Sequence, residues 1–303
     1  MGRYFVKRIL LAVVTFFIVT ASTFFAMNAI PGGPFNKEKA TSPQVQAVLE
    51  ERFNLDKPVP EQYVLYLKQF FSGDFGISLK TGRDIGTTIM TSFPVSAKLG
   101  LQAIFMALVC GIVLGSIAAL MRNKWPDRVI VFLSTLFTAM PSFVLATFLL
   151  LIFCVKLQWV PAWSIDNPSY VLPVISLALY PTAYITRLTK TSMLDALSTD
   201  YVRTARAKGV ASWKVMFKHS LKNALIPVIT YLGPATAGII TGSIVVENIF
   251  TIGGLGEKFV SAITNRDYPM IMATTIFLAI LMIIMTLISD LIYKVVDPRI
   301  NFD

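Results

Sequence analysis

The segment Asp200-Tyr-Val-Arg-Thr-Ala-Arg-Ala-Lys-Gly209 holds the densest usable chemistry in the chain, and it lies between two long apolar runs. Arg203, Arg206 and Lys208 suit contact with something in the cytoplasm or with lipid headgroups, not bond-making chemistry. Covalent and metal chemistry is poorly supplied elsewhere. One histidine, His219, rules out His-pair metal motifs and argues against a Ser-His or Cys-His hydrolase. It reads as a loop residue near a membrane surface. Cys110 and Cys154 fall inside apolar runs, where a cysteine is ordinarily a small buried hydrophobe. No Gly-x-x-x-x-Gly-Lys-Ser/Thr segment occurs, since Gly253–Lys258 has glycines and a lysine at the wrong spacing. The chain is therefore expected to bind no ATP, Mg or other cofactor of its own.

The elements that must position this segment are membrane spans. The chain is 55% hydrophobic and 15% charged, against about 25% charged in a soluble domain, with a mean hydropathy of +0.66. A net charge of +10 is explained by orientation in a bilayer, so nucleic acid is not expected as a partner and membrane lipid is. Crossing the hydrocarbon core takes about 20 predominantly apolar residues. Five uncharged runs reach that length: Ile9–Ile30, Leu99–Met121, Val129–Val155, Asn223–Val246 and Tyr268–Ser289. A sixth, Tyr170–Thr186, is shorter and can extend backwards past Asn167 or forwards beyond Arg187. The expected fold is an all-α integral membrane protein with six transmembrane helices. The first run is longer than a signal-peptide core of about 7–15 residues and reads as an uncleaved helix.

Lys and Arg gather at the N-terminus (Arg3, Lys7, Arg8), after the second span (Arg122, Lys124, Arg128) and through the 187–222 loop. The positive-inside bias puts both termini and these loops in the cytoplasm. The segment 31–98 balances its charges and falls outside. It carries helical apolar spacing at Val45, Val48, Leu49 and Phe53, again at Tyr63, Tyr66, Leu67 and Phe70, and at Ile85, Ile89 and Phe93. Lys57-Pro58 and Pro60, then Gly73, Gly76 and Gly82, separate these stretches. The expected organisation is a tip and first span over 1–30, a small extracytoplasmic helical insert over 31–98, and a core over 99–303.

Within the cytoplasmic loop, Ser198, Thr199 and Asp200 offer capping oxygens to a helix over Tyr201–Lys208. Gly209 sits where a helix end favours a left-handed residue, and Ser212 offers a cap to a second helix running through Lys218. Helix, glycine turn and helix make a rigid knob; the plainer alternative is a basic loop facing lipid. Pro173, Pro181, Pro227 and Pro234, with Gly233, Gly238 and Gly242, break the fourth and fifth spans, either to ease packing or to mark moving elements along a cavity.

This loop resembles the one by which permease subunits of bacterial ABC importers dock onto their ATPase, in the version found in oligopeptide and dipeptide permeases. Asp200, Tyr201, Arg203, Thr204, Ala205, Arg206, Lys208 and Gly209 carry the resemblance. The general family places an acidic residue where Arg203 stands, and the distal part, His219-Ser-Leu-Lys-Asn-Ala224 with Pro227 a few residues late, also departs from it. Further matches are Pro31-Gly-Gly-Pro-Phe35, Gly73-Asp-Phe-Gly76, Glu247-Asn-Ile-Phe250 with Gly254-Leu-Gly256, Arg266-Asp-Tyr-Pro269 and Asp297-Pro-Arg-Ile300. Together they look like the B-type subunit of an oligopeptide importer. The resemblance implies the type I importer permease architecture and a place in the bacterial cytoplasmic (inner) membrane. It implies a homologous second permease, two cytoplasmic ATPases that hold ATP and Mg, an extracytoplasmic peptide-binding protein, and peptide as substrate. Relatives also carry dipeptides, nickel, glutathione or murein peptides. Glu247, Arg266 and Asp267 are candidates for an outer gate or a binding-protein contact. The rival class is an ion-coupled secondary transporter, which usually places titratable groups within the bilayer; here Glu247 and Asp290 lie at span ends.

Overall fold

The computed structural model describes residues 2–30, 56–211, 214–240 and 243–296. The stretch Val45–Phe53, the motifs Pro31–Phe35 and Asp297–Ile300, Ser212 and Gly242 lie outside the described residues. Eleven helices are used below. They are α1 (Gly2–Asn28), α2 (Val59–Phe71), α3 (Ile85–Leu120), α4 (Trp125–Ala139), α5 (Ser142–Leu149), α6 (Val171–Leu197), α7 (Asp200–Ala207), α8 (Ile226–Ile240), α9 (Ile244–Ile249), α10 (Leu255–Asn265) and α11 (Tyr268–Val296). Two π-helical stretches, Leu150–Lys156 and Val215–Leu221, follow α5 and precede α8.

Five helical stretches are long and apolar enough to cross a bilayer: Val6–Asn28, Ile85–Leu120, Val171–Leu197, Ile226–Ile249 (α8 with α9) and Tyr268–Asp290. The third expected run is a bent pair: α4 and the helix over Ser142–Lys156 meet at 107°, which brings the number of spans to six if the pair counts as one. Met140 takes an extended backbone (φ −82°, ψ 133°). Its conformation follows from Pro141, which disfavours the helical region for the residue before it. The fourth span extends forwards, since α6 runs through Arg187 to Leu197. Its prolines do not break it, because Pro173 lies in the first turn and Pro181 is carried inside the helix. Pro227 stands at the second position of α8 and Pro234 within it. The stretch Ile85–Phe93 is not a separate helix of the insert. It is the start of α3, which carries Pro94 inside and continues to Leu120, because proline's fixed φ is itself helical and removes only one hydrogen bond.

The chain divides into two compact units, Met1–Pro94 with Gly253–Ile283, and Val95–Ile252 with Ile284–Asp303. In the first, Phe24 and Met27 of α1, Ile85 and Ile89 of α3, Leu255 and Ala262 of α10, and Ile271, Met272 and Ile276 of α11 form one core. The α2 face expected from the sequence, Tyr63, Tyr66, Leu67 and Phe70, packs on that core, and the Tyr63 and Thr20 hydroxyls meet at 2.8 Å. Gly73, Gly76 and Gly82 all have positive φ. The loop they shape ends at Asp84, whose carboxylate accepts the Thr87 backbone N–H and hydroxyl, each at 2.7 Å. Those bonds hold the Asp84 carboxyl below its ordinary range.

Asp267 pins the same loop. Its carboxylate accepts from the Ser78 hydroxyl (2.5 Å), the Leu79 N–H (3.1 Å) and the Met270 N–H (3.4 Å). Beside it, Arg266 closes α10 in the left-handed region, and the Tyr268 hydroxyl donates to the Met27 carbonyl. Asp267→Ala leaves the buried Ser78 hydroxyl and the Leu79 N–H without this acceptor, a loss of about 3 kcal/mol. The expected result is faster trypsin cleavage at Lys80 and Arg83 in membranes, with Asp267→Asn in between. Unchanged cleavage in Asp267→Ala would show that the loop is held by other contacts.

In the second unit α3 lies against α6 at Gly111-Ile-Val-Leu-Gly115. A Cβ at Gly111 would meet Ile185 Cγ2 at 2.6 Å, and one at Gly115 would meet the Thr186 carbonyl oxygen at 2.6 Å. Small residues four apart let two membrane helices approach this closely. Ala103, Ala107, Ala178, Ile185 and Val228 fill the adjoining core. Leu99, Ala146, Leu172, Val246, Phe250 and Ile252 fill another.

Candidate functional site

The basic segment is mounted on the end of α6. Thr199, with an extended backbone, starts α7, but no side-chain oxygen caps the new helix. The expected capping hydroxyls turn back instead. Thr199 Oγ1 donates to the Ala196 carbonyl at 2.6 Å and Ser198 Oγ to the Asp195 carbonyl at 2.7 Å. They add a second donor to the last carbonyls of α6, which also take the Ser198 and Thr199 N–H groups. Asp200 contributes by charge, as a carboxylate in the first turn of α7.

One face of α7 is buried and the other is bare. Val202 is 0% exposed and Ala205 is 9% exposed, and both pack with Val215, Leu197 and Val210. Asp200, Tyr201, Arg203, Thr204, Arg206 and Lys208 are exposed. Arg203 and Asp200 pair at 3.3 Å, but both side chains are largely in solvent, so the pair contributes little.

The helix then stops as the glycine predicts. Gly209 has φ +72°. Its N–H bonds to the Arg206 carbonyl at 3.0 Å, and the Val210 N–H reaches the Ala205 carbonyl at 3.1 Å. This paired pattern, with Val210 packed back on Ala205, is the glycine-terminated helix end. A Cβ on Gly209 would meet nothing within 4 Å, so only backbone conformation restricts the position. Beyond the turn, the π-helical stretch Val215–Leu221 and Lys222–Ala224 lead to α8. Met216 and Ala224 pack with Ala119 and Met193, rooting the knob on α3 and α6. The side chain of His219 lies outside the described residues.

A second anchor escapes the sequence reading, which counts Lys190 only toward topology. Lys190 Nζ on α6 meets Asp127 Oδ1 at 2.5 Å, and Asp127 also accepts the Asn123 N–H at 2.9 Å. The pair is mostly buried and ties the last third of α6 to the start of α4. The result is a knob packed on α3 and α6 with a cationic outer face, chemically suited to an acidic surface.

The other candidates are not brought together with it. Glu247 is fully buried on α9 and its carbonyl accepts the Ile252 N–H at 2.8 Å. Asp267 is 3% exposed and engaged as described above. Both side chains are buried within the chain, Glu247 in the second unit and Asp267 in the first. Arg266 is half-buried at a helix end.

Comparison with known proteins places these features in a family. The model of the binding-protein-dependent transport system inner membrane component matches residues 111–302, and the N-terminal model of such membrane components matches residues 1–100. The chain is 46% identical to the dipeptide transport system permease protein DppB of Bacillus subtilis, over 99% of this chain and 98% of the relative. It is 42% identical to the oligopeptide transport system permease protein OppB of Haemophilus influenzae over the whole of both. Among solved structures, an inward-facing MetNI methionine ABC transporter chain aligns with a TM-score of 0.55 at 15% identity, covering 69% of this chain and 96% of its own. An amino acid ABC transporter aligns at 0.53 and 17%, covering 71% and 94%. At those identities the likeness is one of fold.

Proposed function

This chain belongs to the binding-protein-dependent transport system inner membrane component family, the multi-pass permease subunits of ABC importers, and on that footing we propose that its cargo is oligopeptide. Full-length relatives named for dipeptide and oligopeptide transport support that reading. Both termini and the 187–222 loop lie in the cytoplasm, and the 31–98 segment lies outside. A homologous second permease completes the pathway, a peptide-binding protein delivers cargo, and two ATPases carry ATP and Mg. Closure of the ATPases pushes the α7 knob and so moves α6 and α8 between outward and inward access.

The observation that carries this is the rigid α7–Gly209 knob with Arg203, Arg206 and Lys208 on its free face. Reversing two of those charges, Arg203→Glu with Arg206→Glu, is expected to cut co-purification of the ATPases about tenfold or more, the loss of two charge-assisted contacts. Permease in the membrane should stay near its usual level because neither side chain is buried. Full ATPase recovery would assign the loop to lipid.

A further inference from the structure

Within the second unit, a groove of about 450 Å³ opens where helices are interrupted. Its wall includes Thr138 at the end of α4, Ser142 beyond the break, Ser176, Tyr180 and Pro181 of α6, and Ser243 before α9. Among the described residues no Asp, Glu, Lys or Arg lines it. The volume is in the range of small-molecule sites, about 300–1,000 Å³.

Two hydroxyls of this wall already spend their hydrogens within their own helices. Thr138 Oγ1 already donates, to the Ser134 carbonyl at 2.9 Å and the Thr135 carbonyl at 3.0 Å. Ser176 Oγ donates to the Pro173 carbonyl at 3.0 Å. A hydroxyl has one hydrogen and two lone pairs, so both oxygens remain to the groove as acceptors. Leu177 also lines it, and Pro181 has no N–H to return to the Leu177 carbonyl. These acceptors, with no carboxylate among the described lining residues, suit a ligand rich in neutral N–H groups.

The groove also joins a polar stripe. The exposed positions of α6 include Tyr180, Tyr184, Arg187, Thr191 and Asp195, one helical face, and the Tyr184 ring stacks on Tyr231 of α8 with centroids 4.3 Å apart. The exposed face of α3 is instead Leu101, Phe105, Val109, Val113 and Ile117. Lipid suits the α3 face. Within the span the Tyr180 and Tyr184 hydroxyls favour water or a polar occupant, and Arg187, Thr191 and Asp195 continue the face into the cytoplasmic loop.

We propose that the groove at Thr138, Ser176, Tyr180 and the Leu177 carbonyl is a station on the transport route that reads the N–H groups of a peptide main chain, whatever the side chains. This rests on the peptide reading of the cargo. Recognition through these acceptors passes any sequence with a free main chain but disfavours N-methylated bonds.

The test uses the complete importer in proteoliposomes, with tri-alanine and its N-methylated analogue as probes. The wild type should take up tri-alanine about tenfold better, the worth of one hydrogen bond. Thr138→Val with Ser176→Ala should raise KM for tri-alanine severalfold and narrow the ratio between the probes. The binding protein is common to both assays, so a change in the ratio belongs to the groove, whereas a structural defect would lower both uptakes together. As a second measure, tri-alanine should slow maleimide labelling of Tyr180→Cys. An unchanged ratio in the double variant, or labelling unaffected by peptide, overturns the proposal and leaves the cargo reading intact. A wild-type importer that takes up neither probe overturns both.

Discussion

Gly209→Val is expected to reduce uptake to less than a tenth of wild type while the permease still reaches the membrane. The Gly209 backbone is left-handed, at φ +72°, a region that costs an L residue about 1–2 kcal/mol. Open space surrounds the missing Cβ, so the strain has one outlet, the turn itself. Relaxing φ breaks the paired bonds from Gly209 and Val210 to the last turn of α7 and re-aims the chain that follows. The hydrophobic spans do not pass through this turn, so insertion should persist. Gly209→Asn, a residue that enters the left-handed region more readily, should retain most uptake. The measurement is uptake together with recovery of the ATPases on the purified permease. Normal values for both in Gly209→Val would mean that the turn does not couple.

Gly115→Val should act in the opposite way, removing folded protein instead of uncoupling it. A Cβ there would lie 2.6 Å from both the Thr186 carbonyl oxygen and Thr189 Cβ. Backbone cannot swing aside as a side-chain tip can, so α3 and α6 must separate along their contact. Overpacking of this kind costs about 3 kcal/mol, a large share of the stability of a typical domain. The expected result is a strong fall in monodisperse yield and in thermal midpoint. Gly238→Ala, where a Cβ meets nothing within 4 Å, should stay within about 0.5 kcal/mol of wild type. Equal behaviour of the two variants would contradict the close helix crossing.

What the sequence made legible divides along physical lines. Apolar runs located the spans because burial in lipid is a sum over about 20 residues and tolerates local exceptions. Gly209 was legible because one backbone region at a helix end nearly specifies its residue. The bend at Met140–Pro141 was not read from the uncharged run Val129–Val155, although the proline lay in plain view; hydropathy does not register a turn in the backbone. Pro181 misleads in the other direction, since neighbouring contacts carry a helix past one missing hydrogen bond. The capping hydroxyls of Ser198 and Thr199 were rightly placed at a helix boundary but serve the helix before it. Asp267 and Lys190 find partners 189 and 63 residues away, a separation no local pattern encodes. Gly111 and Gly115 did leave a signal, two glycines four apart in an apolar helix.

The central claim is that this chain moves peptide only as the membrane part of an ATP-driven machine, through the α7 knob. The direct measurement is uptake of a labelled peptide into inverted-free proteoliposomes holding either the complete importer or this chain alone, with ATP or a proton gradient as the energy source. The account predicts uptake by the complete importer with enclosed ATP, insensitive to a protonophore, and none by the chain alone under either source. Gradient-driven uptake by the chain alone, abolished by the protonophore, would contradict it and give Glu247, the fully buried carboxylate of α9, a proton-coupling role.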